Sequence, residues 1–141
     1  MRYNERGKIM YCISLDKEFI SDYTKSGQAL EQIARYTLTG KRLKADNIPH
    51  NLATDCGIYQ IKSAKATVCI GLDLEGYIAE DVATEFMFCT RNRNGYCMTK
   101  AEWIIFCQVF GYASTTSDGR PSWRLYDESK RMLQWLERYA R

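Results

Sequence analysis

Residues 54–64 read TDCGIYQIKSA and predict a β-strand over Gly57–Lys62, because apolar and polar side chains alternate there. The run Ala66-Thr-Val-Cys-Ile70 is continuous and β-prone, so we expect a neighbouring strand joined to the first by a hairpin or a bend. A period of two places Gln60 and Lys62 on the same face of the sheet. The rest of the fold is inferred outward from this pair of strands.

Two longer helices are predicted before and after these strands. Apolar residues recur at helical spacing over 27–39, and Gly40 follows where a left-handed C-cap residue is expected. Thr99 and Glu102 form a capping box, which is the start signal of a helix over 99–110. Each helix presents one apolar face to a core. The predicted core residues are Leu30, Ile33, Ala34 and Leu38 in the first helix and Trp103, Phe106, Val109 and Phe110 in the second.

Shorter elements complete the chain. Residues 84–90 predict a buried strand, and Asn94-Gly95 predicts a hairpin turn into a strand at 96–98. Residues 113–122 are rich in Ser, Thr and Gly and predict a loop, followed by an edge strand at 123–126. Two short helices are predicted over 14–23 and 74–82, and the segment IMYCI, residues 9–13, predicts either an edge strand or an ordered tail. A final helix is predicted from Asp127, and it docks on the core through Met132, Leu133, Trp135, Leu136 and Tyr139.

Size and composition are those of an ordinary globular domain. The 141 residues fit a single domain, and a hydrophobic content of 45% excludes intrinsic disorder. The longest apolar runs are about five residues, against the ~20 that cross a bilayer. Because the N-terminus MRYNERGKIMYC is polar, we expect no signal peptide and a cytoplasmic location. Six well-separated cysteines predict free thiols of a reducing compartment.

The order of elements predicts the α/β (α+β) class, with a mixed central β-sheet flanked by helices. The chain has neither the GxGxxG nor the GxxxxGK[ST] pattern, so the usual dinucleotide and P-loop sites lose their support. Lys and Arg exceed Asp and Glu by 20 to 17, and a net charge of +3 alone does not predict nucleic-acid binding. The basic residues are grouped, however, which allows a local phosphate-facing surface.

Four polar residues from three predicted elements form the candidate site. Glu31 lies in the middle of a helix, Asp55 ends one strand, and Gln60 and Lys62 share a face of the next. Carboxylate and amide oxygens are the hard ligands that Mg²⁺ and Mn²⁺ prefer, and an ammonium group can stabilise the anion formed in phosphodiester hydrolysis. The set therefore contains the residue types that metal-dependent hydrolysis of a phosphodiester requires.

The order Glu, Asp, Gln-x-Lys resembles the PD-(D/E)xK nuclease superfamily, which has the restriction-endonuclease-like fold, in its Gln-x-Lys variant. The resemblance implies that Asp55, Gln60 and Glu31 hold Mg²⁺ or Mn²⁺ and that Lys62 is the catalytic lysine. It also implies a single nuclease-like domain over residues 1–141. The core of that domain would cover about 26–90, with a C-terminal addition over 95–141.

Two positions depart from the pattern of that superfamily. Thr54 stands where the family usually has a proline, and fewer residues than usual separate Asp55 from Gln60. If the hairpin is so tight that Asp55 turns away, Asp46 is the substitute carboxylate. A neutral amide in the metal site also lowers its negative charge, which would weaken the binding of Mg²⁺ and with it catalysis.

Basic residues near the candidate site are expected to contact phosphates. They are Lys44, His50, Lys65, Arg91 and Arg93. The expected partner is DNA or RNA, and the protein would act as a homodimer or within a larger assembly. Two alternatives to a nuclease remain at this point: a non-catalytic nucleic-acid-binding or protein-interaction domain of a mobile genetic element with the same fold, and an unrelated α+β fold in which Gln-Ile-Lys is coincidental.

Overall fold

A computed structural model describes residues 11–15, 26–41 and 51–139 of the chain. The helices of this part are α1 (Ser26–Thr39), α2 (Leu74–Ala79), α3 (Lys100–Phe110) and α4 (Lys130–Tyr139). The strands are β1 (Tyr11–Ser14), β2 (Asn51–Thr54), β3 (Gly57–Ser63), β4 (Thr67–Ile70), β5 (Glu85–Cys89), β6 (Asn94–Met98), β7 (Gly111–Thr115) and β8 (Pro121–Leu125). The predicted helix over 14–23 lies outside the described residues, except for Ser14 and Leu15 at its start.

Five of the described strands form the central sheet, in the order β1, β6, β5, β3, β2. The pair β3 and β5 is parallel, and the other pairs are antiparallel. A parallel pair needs a long crossover, and here the chain makes it through β4 and α2. The predicted α/β class, with a mixed central sheet and flanking helices, is confirmed.

Different helices cover the two faces of this sheet. Along β3 the residues Tyr59, Ile61 and Ser63 are buried and alternate with partly buried ones. Tyr59 and Ile61 belong to a core with Leu30, Ile33 and Ala34 of α1. On the opposite face Phe86 stacks on Trp103 of α3 with ring centroids 5.7 Å apart, and Phe88 packs on Phe106 at 5.0 Å. The helix α4 joins this second core through Met132 and Leu136.

The two longer helices begin and end where the sequence predicts. Gly40 follows α1 with a left-handed φ of 69°. The Thr99 hydroxyl accepts a hydrogen bond from the Glu102 backbone N–H, and the Glu102 carboxylate accepts one from the Thr99 backbone N–H, at 3.2 and 2.8 Å. The final helix begins three residues after the predicted start at Asp127, because the Ser129 hydroxyl accepts from the Met132 N–H at 3.1 Å and forms the first turn there.

The prediction that β3 and β4 are neighbours is wrong. β4 pairs with β8 in a second sheet, whose strand order is β4, β8, β7. The reason lies in the connection: Lys65 has a left-handed φ of 66°, and its N–H donates to the Tyr126 carbonyl at 3.4 Å. The Ala66 carbonyl then accepts from the Leu125 N–H at 3.0 Å. The chain is therefore paired with the end of β8 before β4 begins.

Three further local predictions are corrected. The predicted loop over 113–122 contains most of β7, which is held by antiparallel pairing with β8. Asn94 and Gly95 lie within β6 rather than in a turn. The turn spans residues 90–93, where the Arg93 N–H donates to the Thr90 carbonyl at 2.9 Å. The helix α2 ends at Ala79, which leaves Val82 68% exposed instead of packed in the core.

Candidate functional site

Gln60 and Lys62 lie on one face of β3, as predicted from the period of two. Gln60 Nε2 donates to Asn51 Oδ1 at 3.1 Å, across the antiparallel pair β2 and β3. Lys62 lies opposite Phe88 of β5 and is partly buried. Burial lowers the pKa of Lys62, and the negative charges of Glu31 and Asp81 partly oppose this effect.

Glu31 approaches β3 from the other side. Its Oε2 accepts a hydrogen bond of 3.0 Å from the Ser63 hydroxyl. Because side chains alternate along a strand, Ser63 and Lys62 point to opposite faces of the sheet. Burial raises the pKa of Glu31, while the Ser63 hydrogen bond and the charge of Lys62 lower it to a smaller extent. Glu31 therefore links α1 to the end of β3 and shares an electrostatic environment with Lys62, without sharing its face.

Asp55 is not brought to this end of the strand. Asp55 and Cys56 form the two-residue turn between β2 and β3, and both are exposed. Gly57 closes this tight hairpin with a φ of 147°, and a Cβ at this position would lie 2.6 Å from Thr84 Oγ1. The five residue-to-residue steps of strand from Gly57 to Lys62 span about 16 Å at ~3.3 Å per step. The structure therefore does not bring Asp55 together with Glu31 and Lys62, because the short interval before Gln60 places Asp55 in a tight turn.

The residues described do not fit a shared metal ion. Glu31 and Asp55 lie at opposite ends of β3. Within 11–15, 26–41 and 51–139, no three Asp, Glu, His or Cys side chains are grouped so that they could hold a metal. Asp46, the substitute carboxylate, lies outside these ranges. No chemical step is therefore assigned to Mg²⁺ or Mn²⁺ here, and their binding stays a prediction.

Two of the predicted phosphate-binding residues do come together, at the carboxyl ends of the parallel strands. Lys65 follows β3 and Arg91 follows β5. Both pair with Asp127, at 3.5 Å for Lys65 Nζ and 2.6 Å for Arg91 Nη2. The Glu128 N–H, which donates to Asp127 Oδ1 at 2.8 Å, lowers the pKa of Asp127 together with the two cations. Ligands commonly bind at this edge of an α/β sheet.

A cavity of about 110 Å³ lies beside these ion pairs. Its wall also includes Ser63, the residue that Glu31 binds. Glu128 closes one side, with its Oε1 accepting from the Arg91 N–H at 2.8 Å, and burial raises the pKa of Glu128. The residues that line the cavity are Leu30, Ser63, Ala64, Lys65, Arg91, Asp127 and Glu128.

An aromatic pair extends this site onto the second sheet. Tyr112 on β7 lies opposite Arg124 on β8, and Tyr126 follows on the same side two residues later. The Tyr112 and Tyr126 rings are 4.6 Å apart between centroids, and Tyr126 is 53% exposed. The opposite side of this sheet faces α3, where Trp123 Nε1 donates to the Cys107 carbonyl at 2.8 Å. The tyrosines and Arg124 thus lie on the outer face.

Of the other predicted phosphate-binding residues, the structure describes only Arg93. Arg93 lies in the turn between β5 and β6 with a left-handed φ of 63°, and its carbonyl accepts from the Leu15 N–H at 2.8 Å. Its backbone thereby connects this turn to the end of β1. Lys44 and His50 lie outside the described residues, so the structure places neither of them.

Sequence reasoning missed Asp127, Arg124, Tyr112 and Tyr126 as site residues. A signal for three of them was present, because Tyr112 with Ser114 and Arg124 with Tyr126 follow the period of two of a half-exposed strand. The sequence predicted the strand of Arg124 and Tyr126 at 123–126 but missed the partner strand of Tyr112, because the Ser, Thr and Gly residues over 113–122 predicted a loop. Asp127 gave no local signal, since its role depends on contacts with Lys65 and Arg91, far away along the chain.

Comparison of the chain with protein-family profiles, with curated proteins and with solved structures gives no match. Among the described residues, no helix combines the length and the apolar character needed to span a membrane. The site must therefore be interpreted from its own geometry.

Proposed function

We propose that this protein is a nucleic-acid-binding domain that holds phosphates at a cationic rim, defined as Lys65, Arg91 and Arg124. The observation that carries the proposal is the meeting of Lys65 and Arg91 from separate strands at one exposed carboxylate. Arg124 adds a third exposed cation on the outer face of the neighbouring sheet. Clustered Lys and Arg side chains supply the sequence-independent part of nucleic-acid affinity.

The ion pairs within the rim do not prevent such binding. The side chains of Lys65, Arg91 and Asp127 are 63%, 55% and 45% exposed. Exposed ion pairs contribute little to stability, so phosphate oxygens can compete for the same donors. Asp127 and Glu128 offset two of the three positive charges, which leaves this site with a net charge of about +1. Asp127 also keeps the two long side chains side by side.

Binding is proposed rather than cleavage because of where the acidic residues lie. A two-carboxylate metal site would need Asp55 near Glu31, and β3 separates them. Membership of the PD-(D/E)xK superfamily, the restriction-endonuclease-like fold and metal-dependent hydrolysis all stay predictions. The proposal corresponds to the alternative that the sequence left open, a non-catalytic domain that binds DNA or RNA.

The test is binding of a fluorescein-labelled DNA or RNA oligonucleotide of about 12 nucleotides, within the ~4–16 nucleotides that small single-strand binding domains occupy. Fluorescence anisotropy is recorded over a range of salt concentrations. If Lys65 and Arg91 each contact a phosphate, the double variant Lys65→Ala/Arg91→Ala should bind more weakly. Its slope of log K against log salt should be shallower by about 1.4, at ~0.7 per phosphate of a single strand.

Arg120→Ala is the matched control. Arg120 is 59% exposed and pairs with Asp118 at 3.0 Å, so it resembles Arg91 in exposure and partner type. It precedes β8 at the end of the sheet away from Tyr126. An equal loss in this variant, or an unchanged slope in the double variant, would contradict the proposal. Cleavage of the oligonucleotide when Mg²⁺ or Mn²⁺ is added would restore the nuclease interpretation.

A further inference from the structure

The outer face of the second sheet carries a feature that phosphate binding does not use. Tyr112 and Tyr126 form a tilted ring pair, with 4.6 Å between centroids and 32° between planes. They are not directly opposite each other, since Tyr112 faces Arg124 and Tyr126 lies one step along the diagonal. We name this pair of rings the tyrosine platform.

The platform lies on the side of the sheet away from the hydrophobic core. Leu125, the residue between Arg124 and Tyr126, is fully buried in the core with Phe110 of α3. Strand alternation therefore turns its two neighbours outward. Tyr126 is 53% exposed, so a flat ligand can reach this residue from solvent.

The platform adjoins the cationic rim. The Tyr126 carbonyl accepts from the Lys65 N–H, and the next residue, Asp127, binds Lys65 and Arg91. Aromatic side chains beside a line of Lys and Arg are the usual means by which proteins bind unpaired bases, with the rings stacking on bases and the cations on phosphates.

We infer that the preferred ligand is a single-stranded nucleic acid whose unpaired bases stack on Tyr126 and Tyr112. This inference rests on the proposed function and adds the class of ligand. In a duplex the base faces are covered by neighbouring bases, and only base edges are presented in the grooves. A duplex could reach the cationic rim but could not use the tyrosine platform.

Three probes of equal length, about 12 nucleotides, test this inference on the unmodified protein: oligo(dT), the oligo(dT)·oligo(dA) duplex, and an abasic strand with the same phosphates and no bases. Anisotropy titrations are made at one salt concentration. We expect oligo(dT) to bind at least about tenfold more tightly than either of the other probes, because ~1–3 kcal/mol per stacked base corresponds to roughly 5- to 150-fold.

The outcomes separate the two proposals. Equal binding of all three probes, with the salt dependence expected of phosphate contacts, would overturn the single-strand inference and leave the proposed function standing. Absence of binding to every probe would overturn both. Because these measurements need no variant, a substitution that fails to fold cannot obscure them.

Substitution of the platform supplies the second test. Tyr126→Leu should weaken binding of oligo(dT) by roughly 5- to 150-fold and change binding of the duplex less than twofold. Tyr126→Phe should bind oligo(dT) like the original protein, since it keeps the aromatic face. Tyr77→Leu is the control, because Tyr77 is 45% exposed on α2, within residues 66–90, which contain five acidic and no basic residues. Equal losses for Tyr77→Leu and Tyr126→Leu would overturn the inference.

Discussion

Replacing Lys65 by glycine should separate the two properties of this residue, its strained backbone and its charge. Lys65 has a left-handed φ of 66° where the chain leaves β3 for the second sheet. In that region the Cβ of an L-residue crowds the backbone, and glycine has no Cβ. We therefore expect Lys65→Gly to keep or increase stability while it weakens nucleic-acid binding.

The size of the effect follows from opposing contributions. Left-handed backbone costs an L-residue about 1–2 kcal/mol, and the greater freedom of glycine in the unfolded chain offsets about 0.5–1 kcal/mol of the gain. The lost ion pair with Asp127 is exposed on both sides and contributes little. The net change lies between zero and an increase of about 1.5 kcal/mol in the free energy of unfolding, at roughly 2–4 °C in Tm per kcal/mol for a chain of this size.

Calorimetry and anisotropy on the same preparations provide the assay, with Lys65→Ala as the matched control. Alanine removes the same charge but keeps the Cβ, so its Tm should lie below that of Lys65→Gly, while both variants lose affinity equally. A Tm for Lys65→Gly below that of Lys65→Ala would refute the assigned backbone strain. Unchanged affinity in both variants would refute the assigned phosphate contact.

Three further outcomes are expected. Glu31→Gln should raise Tm near pH 7, because burial raises the pKa of the folded Glu31 carboxyl and the contribution of this group to stability falls as pH rises through that pKa. The Tm difference from the original protein should shrink towards pH 4.5, and a difference that grows on acidification would contradict this expectation. Leu136→Ala removes a fully buried side chain and should lower the free energy of unfolding, measured by chemical denaturation, by about 2–5 kcal/mol. Leu133→Ala, at a partly exposed site, should lower it clearly less. Equal losses in the two variants would contradict this placement of α4. Tm with and without millimolar Mg²⁺ or Mn²⁺ tests the metal prediction. A rise that Glu31→Gln abolishes would support a metal site at Glu31, and an unchanged Tm would agree with the positions of Glu31 and Asp55 at opposite ends of β3.

Elements with strong local signals could be predicted from the sequence. The capping box of Thr99 and Glu102 and the C-cap at Gly40 both depend on residues within a few positions of each other, so a sequence contains the whole signal. The same holds for the alternation along β3, which placed Gln60 and Lys62 on one face.

Pairing between distant segments could not be predicted. The move of β4 into the second sheet depends on backbone hydrogen bonds between residues 65–66 and 125–126, and no local pattern encodes these contacts. The candidate site shows the same division. Lys65 and Arg91 could be chosen from their charge, but Asp127 joins them only in the folded chain. The carboxylate of Asp55 favoured a metal ligand, but the two-residue turn between β2 and β3 places Asp55 at the end of β3 away from Glu31.

The most direct test of the central claim is an NMR titration of the ¹⁵N-labelled protein with oligo(dT). If single-stranded nucleic acid binds across the cationic rim and the tyrosine platform, amide shifts should be concentrated at Lys65, Arg91, Arg124 and Tyr126. The helix α2, which lies in the acidic part of the chain, should show none. Shifts centred instead on the turn at Asp55, or no shifts at saturating oligonucleotide, would contradict the claim.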